Sequence, residues 1–152
     1  MLSQENLTKI KKRTEEFFGK MGFLVESEVV PQGEQTVLVN LKTEEPRVLI
    51  GKNGEILADI QRLLRAILRK EIKQFFFINL DINSYKKKKI EYLKETARAL
   101  ADRVVLTKRE KVLEPMPSDE RRIIHLELAN RGDVTTQSIG EGFERRVVIK
   151  PS

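Results

Sequence analysis

Residues 47–57 read RVLIGKNGEIL, and the glycines at 51 and 54 constrain the fold more than any other feature of the chain. Glycine reaches positive φ and lets other groups approach the backbone closely. Between two helical patterns, such a pair predicts a sharp corner. The first helix is expected over 43–50, with Thr43 as its cap and Pro46 in its first turn. The second is expected over 55–72, where Leu57, Ile60, Leu64, Ile67 and Leu68 fall on one face.

The flanking segments complete an order. Leu7, Ile10, Phe17, Phe18 and Met21 recur at helical spacing over 3–21, with Ser3 as N-cap and Gly22 as the stop. FLVESEVV (23–30) and QTVLVNL (35–41) are rich in β-branched residues and flank PQGE, which predicts a hairpin. FFFINLDI (75–82) reads as a strand with Phe76, Ile78, Leu80 and Ile82 on one face. Phe75 and Phe77 fall on the other face, free either to pack under a helix, a second domain or another chain, or to stack bases. The first half is therefore α-β-β-α-α-β.

The second half starts with a long helix over 84–111, whose seam is Ile90, Leu93, Ala97, Leu100 and Val104. VLEPMP breaks it, with a short strand near residues 112–113. A helix follows over 118–132, with Ser118 as cap and Gly132 past its end. VTTQSI (134–139) and FERRVVI (143–149) flank GEG as a second hairpin. The expectation is an α+β protein of two small domains, 1–83 and 84–152.

Charge separates the halves further. Residues 84–113 hold ten Lys or Arg against four acids, which accounts for the whole formal net charge of +6. A basic stripe on a neutral background suits a polyanion, or simply a solvated helix. Lys86 to Lys89 lie in the first turn of the long helix, where the helix dipole prefers acids. A nucleic acid passing that way would explain them.

The glycine corner has its own chemistry. A helix beginning after it presents unpaired N–H groups and the positive end of its dipole, which stabilise a phosphate. Lys52 adds a point charge, Asn53 adds polar groups, and Ile56, Leu57 and Ile60 form an expected apolar floor for unstacked bases. A bare G-x-x-G also serves as an unliganded corner.

ERRIIHLEL places Arg121 and His125 four apart, on one helix face. Arginine forks onto phosphates, and imidazole donates a hydrogen bond or stacks on a base. The same face leads towards Arg145 and Arg146, and Arg122 is adjacent. A lone histidine is also commonly a satisfied structural residue.

In its α-β-β-α-α-β context, the hexapeptide Leu49-Ile50-Gly51-Lys52-Asn53-Gly54 resembles the type II KH domain, a nucleic-acid-binding fold. MPSDERRIIHLEL followed by VTTQSIGEGFERRVVIKP resembles the R-three-H domain, which binds single-stranded nucleic acid. The two in succession are similar to the bacterial Jag (SpoIIIJ-associated, KhpB) family over essentially the whole chain. That resemblance implies a non-catalytic, cytoplasmic, single-stranded RNA-binding protein, a post-transcriptional regulator linked to cell elongation and division. Gly51, Lys52, Asn53, Gly54, Arg121 and His125 are its RNA-binding candidates, with Arg122, Arg145 and Arg146 as secondary ones. It also implies a homodimer, or a heterodimer with a small KH-domain protein. Family members commonly carry an N-terminal Jag-N domain, which this chain is expected to lack. Neither motif distinguishes RNA from single-stranded DNA, and a protein–protein adaptor with a dimerising KH domain fits the same residues.

No enzyme is expected. With one histidine and no cysteine the chain cannot build a His/Cys metal site. LIGKNGE lacks the Gly-Lys-Ser/Thr ending of a phosphate-binding loop, and no Ser or Thr has a recognisable base partner. No cofactor is expected. The N-terminus has no apolar signal region, and no run approaches the ~18 apolar residues of a membrane span.

Overall fold

A computed structural model describes residues Met1–Ser152. The chain is α+β and divides into two compact units, Met1–Lys86 and Lys87–Ser152.

The first unit runs α1 (Gln4–Lys20), β1 (Glu26–Gln32), β2 (Thr36–Lys42), α2 (Pro46–Ile50), α3 (Glu55–Glu71) and β3 (Phe77–Ile82). This is the α-β-β-α-α-β order that the residue pattern predicts. Its sheet has the order β1-β2-β3. β1 and β2 are antiparallel, with Val29 opposite Val39. β2 and β3 are parallel, with Val39 opposite Leu80. The parallel pair needs a crossover, and α2, the glycine corner and α3 supply it.

The core follows the two periodicities. Ile10, Thr14 and Phe18 recur every fourth residue along α1 and are fully buried. Val37, Val39 and Leu41 alternate along β2, and Ile78, Leu80 and Ile82 along β3. Leu57, Ile60, Leu64 and Leu68 of α3 close over them. Ser3 caps α1 as expected, accepting from the Asn6 N–H at 3.2 Å.

Three local expectations are corrected. β1 begins at Glu26, three residues late, and runs through Pro31 instead of turning there. Proline has no N–H to give a ladder, so it is tolerated on this edge strand. Thr43 does not cap α2; its hydroxyl accepts from the Glu45 N–H at 3.3 Å, a turn before the helix. Met21 lies past the last turn of α1 and is exposed. Phe75 and Phe77 are half exposed, meet edge to face at 4.9 Å, and lie under the guanidinium groups of Arg69 and Arg65.

The second unit contains most of α4 (Tyr85–Thr107), then β4 (Lys111–Val112), α5 (Ser118–Leu128), β5 (Val134–Ile139) and β6 (Arg146–Pro151). Its antiparallel sheet has the order β4-β6-β5. Leu93, Ala97, Ala101 and Val104 of α4 pack with Leu113, Ile124, Leu128, Val134, Val147 and Ile149. Ile90 was expected in this seam but is exposed; the core takes its first α4 residue at Leu93 and uses Ala101 beside the half-buried Leu100. Ser118 is already helical, and Pro117 is the N-cap residue.

The basic first turn of α4 has a local counterweight. Asp81 accepts from the Lys86 and Ile82 backbone N–H groups at 3.2 and 2.9 Å, so a carboxylate occupies the helix start after all. Lys86 is half-buried, and its ammonium donates to Asn79 at 2.5 Å and Gln61 at 3.4 Å. Burial lowers its proton affinity, and Asp81 opposes that shift. Lys86 is therefore a structural residue of the first unit, whereas Lys87 and Lys88 are exposed.

Candidate nucleic-acid interface

The corner between α2 and α3 is built from three departures from ordinary backbone within four residues. Gly51 adopts φ 72°, ψ −176°, a region that is essentially glycine's alone. Asn53 is left-handed at φ 54°, ψ 23°, and Gly54 at φ 77°, ψ 15°. A Cβ on Gly51 would sit 2.6 Å from Cγ1 of Ile56, so Ile56 itself fills the space that any side chain would need. A Cβ on Gly54 would come 3.1 Å from the Tyr85 ring. Between the glycines, Lys52 and Asn53 are exposed on a single 3-10 turn.

Gly54 is also the N-cap residue of α3 and has no side chain to cap it. The first-turn N–H groups of a 17-residue helix thus begin beside an exposed lysine. That combination attracts an anion, while Glu55 in the first turn partly opposes it. The expected apolar floor is smaller than the residue pattern suggested. Leu57 and Ile60 belong to the core, and only Ile56 is exposed. One face of an amphipathic helix cannot both close the core and line a groove, and here the core took it.

In the second unit α5 carries Arg121 and His125, both half-buried, on one face. Both imidazole nitrogens are occupied: Nδ1 lies 2.7 Å from the Thr136 hydroxyl, and Nε2 2.8 Å from that of Ser138. Thr136 and Ser138 alternate on β5, so they share the strand face turned to α5. His125 is held by them as much as it is offered to a ligand. Burial, then the charges of Arg121 and Arg145, depress its proton affinity and favour the neutral ring.

Arg121 is anchored by one donor. Its Nε–H donates to the Met116 carbonyl at 3.2 Å, which leaves the four donors on its terminal nitrogens. The Met116 N–H in turn donates to the Arg145 carbonyl at 3.1 Å. Arg145 donates from Nη1 to the Gly140 carbonyl at 2.8 Å. Arg121 and Arg145 thus place their positive charge beside His125, whose imidazole is held by Thr136 and Ser138. Arg122 is exposed one residue along the helix. Arg146 is committed elsewhere, pairing with the Glu144 carboxylate at 3.0 Å and with its carbonyl at 3.1 Å. Residue spacing gave Arg121 and His125 their common face. The roles of Met116, Thr136 and Ser138 arise across the fold, where strands and loops meet α5.

The sequence model of the R-three-H domain matches residues 91–151. The chain is 37% identical over 136 residues, 89% of its length, to RNA-binding protein KhpB of Clostridium symbiosum. It is 37% identical over 122 residues to RNA-binding protein KhpB of Bacillus subtilis, and 34% identical over 117 residues to the protein of that name from Lactiplantibacillus plantarum. It spans 61%, 59% and 36% of these three relatives. No helix of the chain is long and apolar enough to cross a membrane. Residues 91–151 therefore belong to the R-three-H domain family, and the chain is a homologue of RNA-binding protein KhpB over most of its length.

Proposed function

We propose that this chain binds single-stranded RNA without catalysing a reaction on it, through two modules. The first unit is read as a type II KH domain whose corner, Gly51-Lys52-Asn53-Gly54, holds the RNA backbone. The second binds through Arg121 and His125, with Arg145 beside them and Arg122 at the margin. The observation that carries this reading is the cluster of Arg121, His125 and Arg145 on the unit that matches the R-three-H domain. The name of the relatives supports RNA as the ligand. Two weak sites on one chain gain affinity when a single strand spans both. A cytoplasmic role in post-transcriptional control of cell elongation and division accompanies the family reading.

Fluorescence anisotropy with labelled oligoribonucleotides tests it. The doubly substituted Lys52→Asp/Asn53→Asp variant should lose most of the affinity with its fold intact, because an added carboxylate repels phosphate. Arg121→Ala/His125→Ala should weaken binding independently. Affinity unchanged in both folded variants would overturn the reading. Unlabelled single-stranded DNA as competitor separates RNA from DNA, and labelled RNA incubated with magnesium should remain uncleaved.

A second reading rests on Phe75 and Phe77. Two half-exposed rings under Arg65 and Arg69 are well suited to a protein contact, either a second copy or a small KH-domain protein. Sedimentation of the chain with Phe75→Ser/Phe77→Ser checks it: a mass that does not change removes the self-association.

A further inference from the structure

Phe143 is the most exposed of the chain's large exposed apolar residues, at 102% relative exposure. It lies on the loop joining β5 to β6, and it contributes nothing to the core. The loop closes without it. Gly140, at φ 85°, packs so tightly that a Cβ would meet the Glu144 carbonyl at 2.9 Å. The Glu144 N–H donates to Glu141, and the Arg145 N–H to Gly142, at 3.1 and 3.3 Å. The Arg145 and Arg146 side chains fasten both ends, to the carbonyls of Gly140 and Glu144. The result is an aromatic ring carried in water on a fixed loop.

Both ends of that loop are tied to the arginine–histidine cluster. Ser138, just before Gly140, holds Nε2 of His125. Arg145, just after Glu144, reaches Arg121 through Met116 and raises the local positive potential at His125. Glu141 and Glu144 give the tip two carboxylates, one of them paired to Arg146. Phosphate is therefore disfavoured at the tip itself and favoured at Arg121 and Arg145. The part of a nucleic acid that fits an exposed ring flanked in the chain by the two carboxylates is an uncharged base.

We propose that Phe143 is a base-stacking residue: a nucleobase of a single strand packs on its ring while neighbouring phosphates meet Arg121 and Arg145. This inference rests on the RNA-binding reading above and adds to it a stacking contact that the arginine–histidine motif does not contain. Stacking on an aromatic ring tolerates any base, so Phe143 would add affinity and a preference for unpaired strands, without base identity.

The chain has no tryptophan, so Phe143→Trp installs a single indole reporter on the loop. Titration with an oligouridylate should quench its emission, and a matched abasic ribose-phosphate strand should not. Phe143→Ala should weaken oligouridylate binding by roughly 5- to 150-fold, from the usual worth of one base stack. The salt dependence should stay unchanged, because no phosphate contact is lost. The variant and the parent should bind the abasic strand equally. Circular dichroism melting verifies that the alanine variant folds, which full exposure predicts. If the parent binds oligouridylate and Phe143→Ala binds it equally well, the stacking inference fails while RNA binding stands. If the parent binds no oligonucleotide, both fail. An indole emission shift with anionic vesicles, and none with oligouridylate, would overturn the inference in favour of a lipid contact.

Discussion

Arg121 and Arg145 are joined through the backbone of a single residue: Met116 accepts from the side chain of the first and donates to the carbonyl of the second. Met116 lies between Pro115 and Pro117, so it is the only member of that tripeptide with an N–H to give. The flanking prolines also restrict the backbone on both sides. The helical arginine and the hairpin arginine are thus referenced to one stiff point.

This makes Arg121→Lys a sharper test than removal of the charge. Lysine keeps the cation but lacks the Nε–H that reaches Met116 and the fork that grips phosphate. RNA affinity of Arg121→Lys is expected to fall close to that of Arg121→Ala in a filter-binding assay. The alanine variant should lose only about 1 kcal/mol of stability, the usual worth of one hydrogen bond. A much larger loss in urea denaturation would make Arg121 chiefly structural.

Gly51→Ala is expected to cost about 1–3 kcal/mol, since its backbone region is closed to alanine and the added carbon overlaps Ile56. Asn53→Gly, by contrast, should be neutral or slightly stabilising at φ 54°. Chemical denaturation of the two variants side by side reads the difference. Equal stabilities would mean that the corner is not strained as described.

His125 gives the chain a signed pH dependence. The native fold depresses its proton affinity below the ordinary value of 6.5. Just below that pH the unfolded chain binds more protons than the folded one, so stability declines as pH falls through that range and is regained above it. His125→Gln should remove this part of the slope when urea midpoints are compared between pH 5 and 8 (roughly the range over which imidazole titrates). An unchanged slope would place the titration elsewhere.

Asp81→Ala should destabilise the first unit by about 0.5–2 kcal/mol, as a lost helix cap does. Asp81→Asn should recover most of that in thermal melts, because an amide oxygen still accepts from the Lys86 N–H. A full loss in the asparagine variant would assign the effect to charge instead.

Much of the fold was legible because it rests on local periodicity. The α-β-β-α-α-β order, the long helix and both hairpins follow from apolar spacing and glycine positions. What was misread depended on neighbours. Pro31 looked like a turn because only the sheet order shows β1 to be an edge. Ile90 fitted the helical seam but precedes the first α4 residue that the core uses. Leu57 and Ile60 belong both to the core-facing stripe of the helix and to the expected floor; packing buries them and leaves Ile56 at the corner. At the site, the shared face of Arg121 and His125 was visible in a four-residue spacing. The hydroxyls that occupy His125, the carboxylate at the start of α4 and the bareness of Phe143 were not, since each depends on strands and loops brought together only by folding.

The parallel pairing of β2 with β3 has a consequence for the order in which the first unit assembles. A hairpin such as β1–β2 closes a short loop and forms early. β3 can find β2 only after the chain from residue 43 to residue 76 has wrapped back, and the corner at Gly51 and Gly54 is where it reverses. A substitution that disfavours positive φ at Gly51 or Gly54 is therefore expected to slow refolding more than it speeds unfolding, which ties completion of the sheet to the same corner proposed to grip RNA.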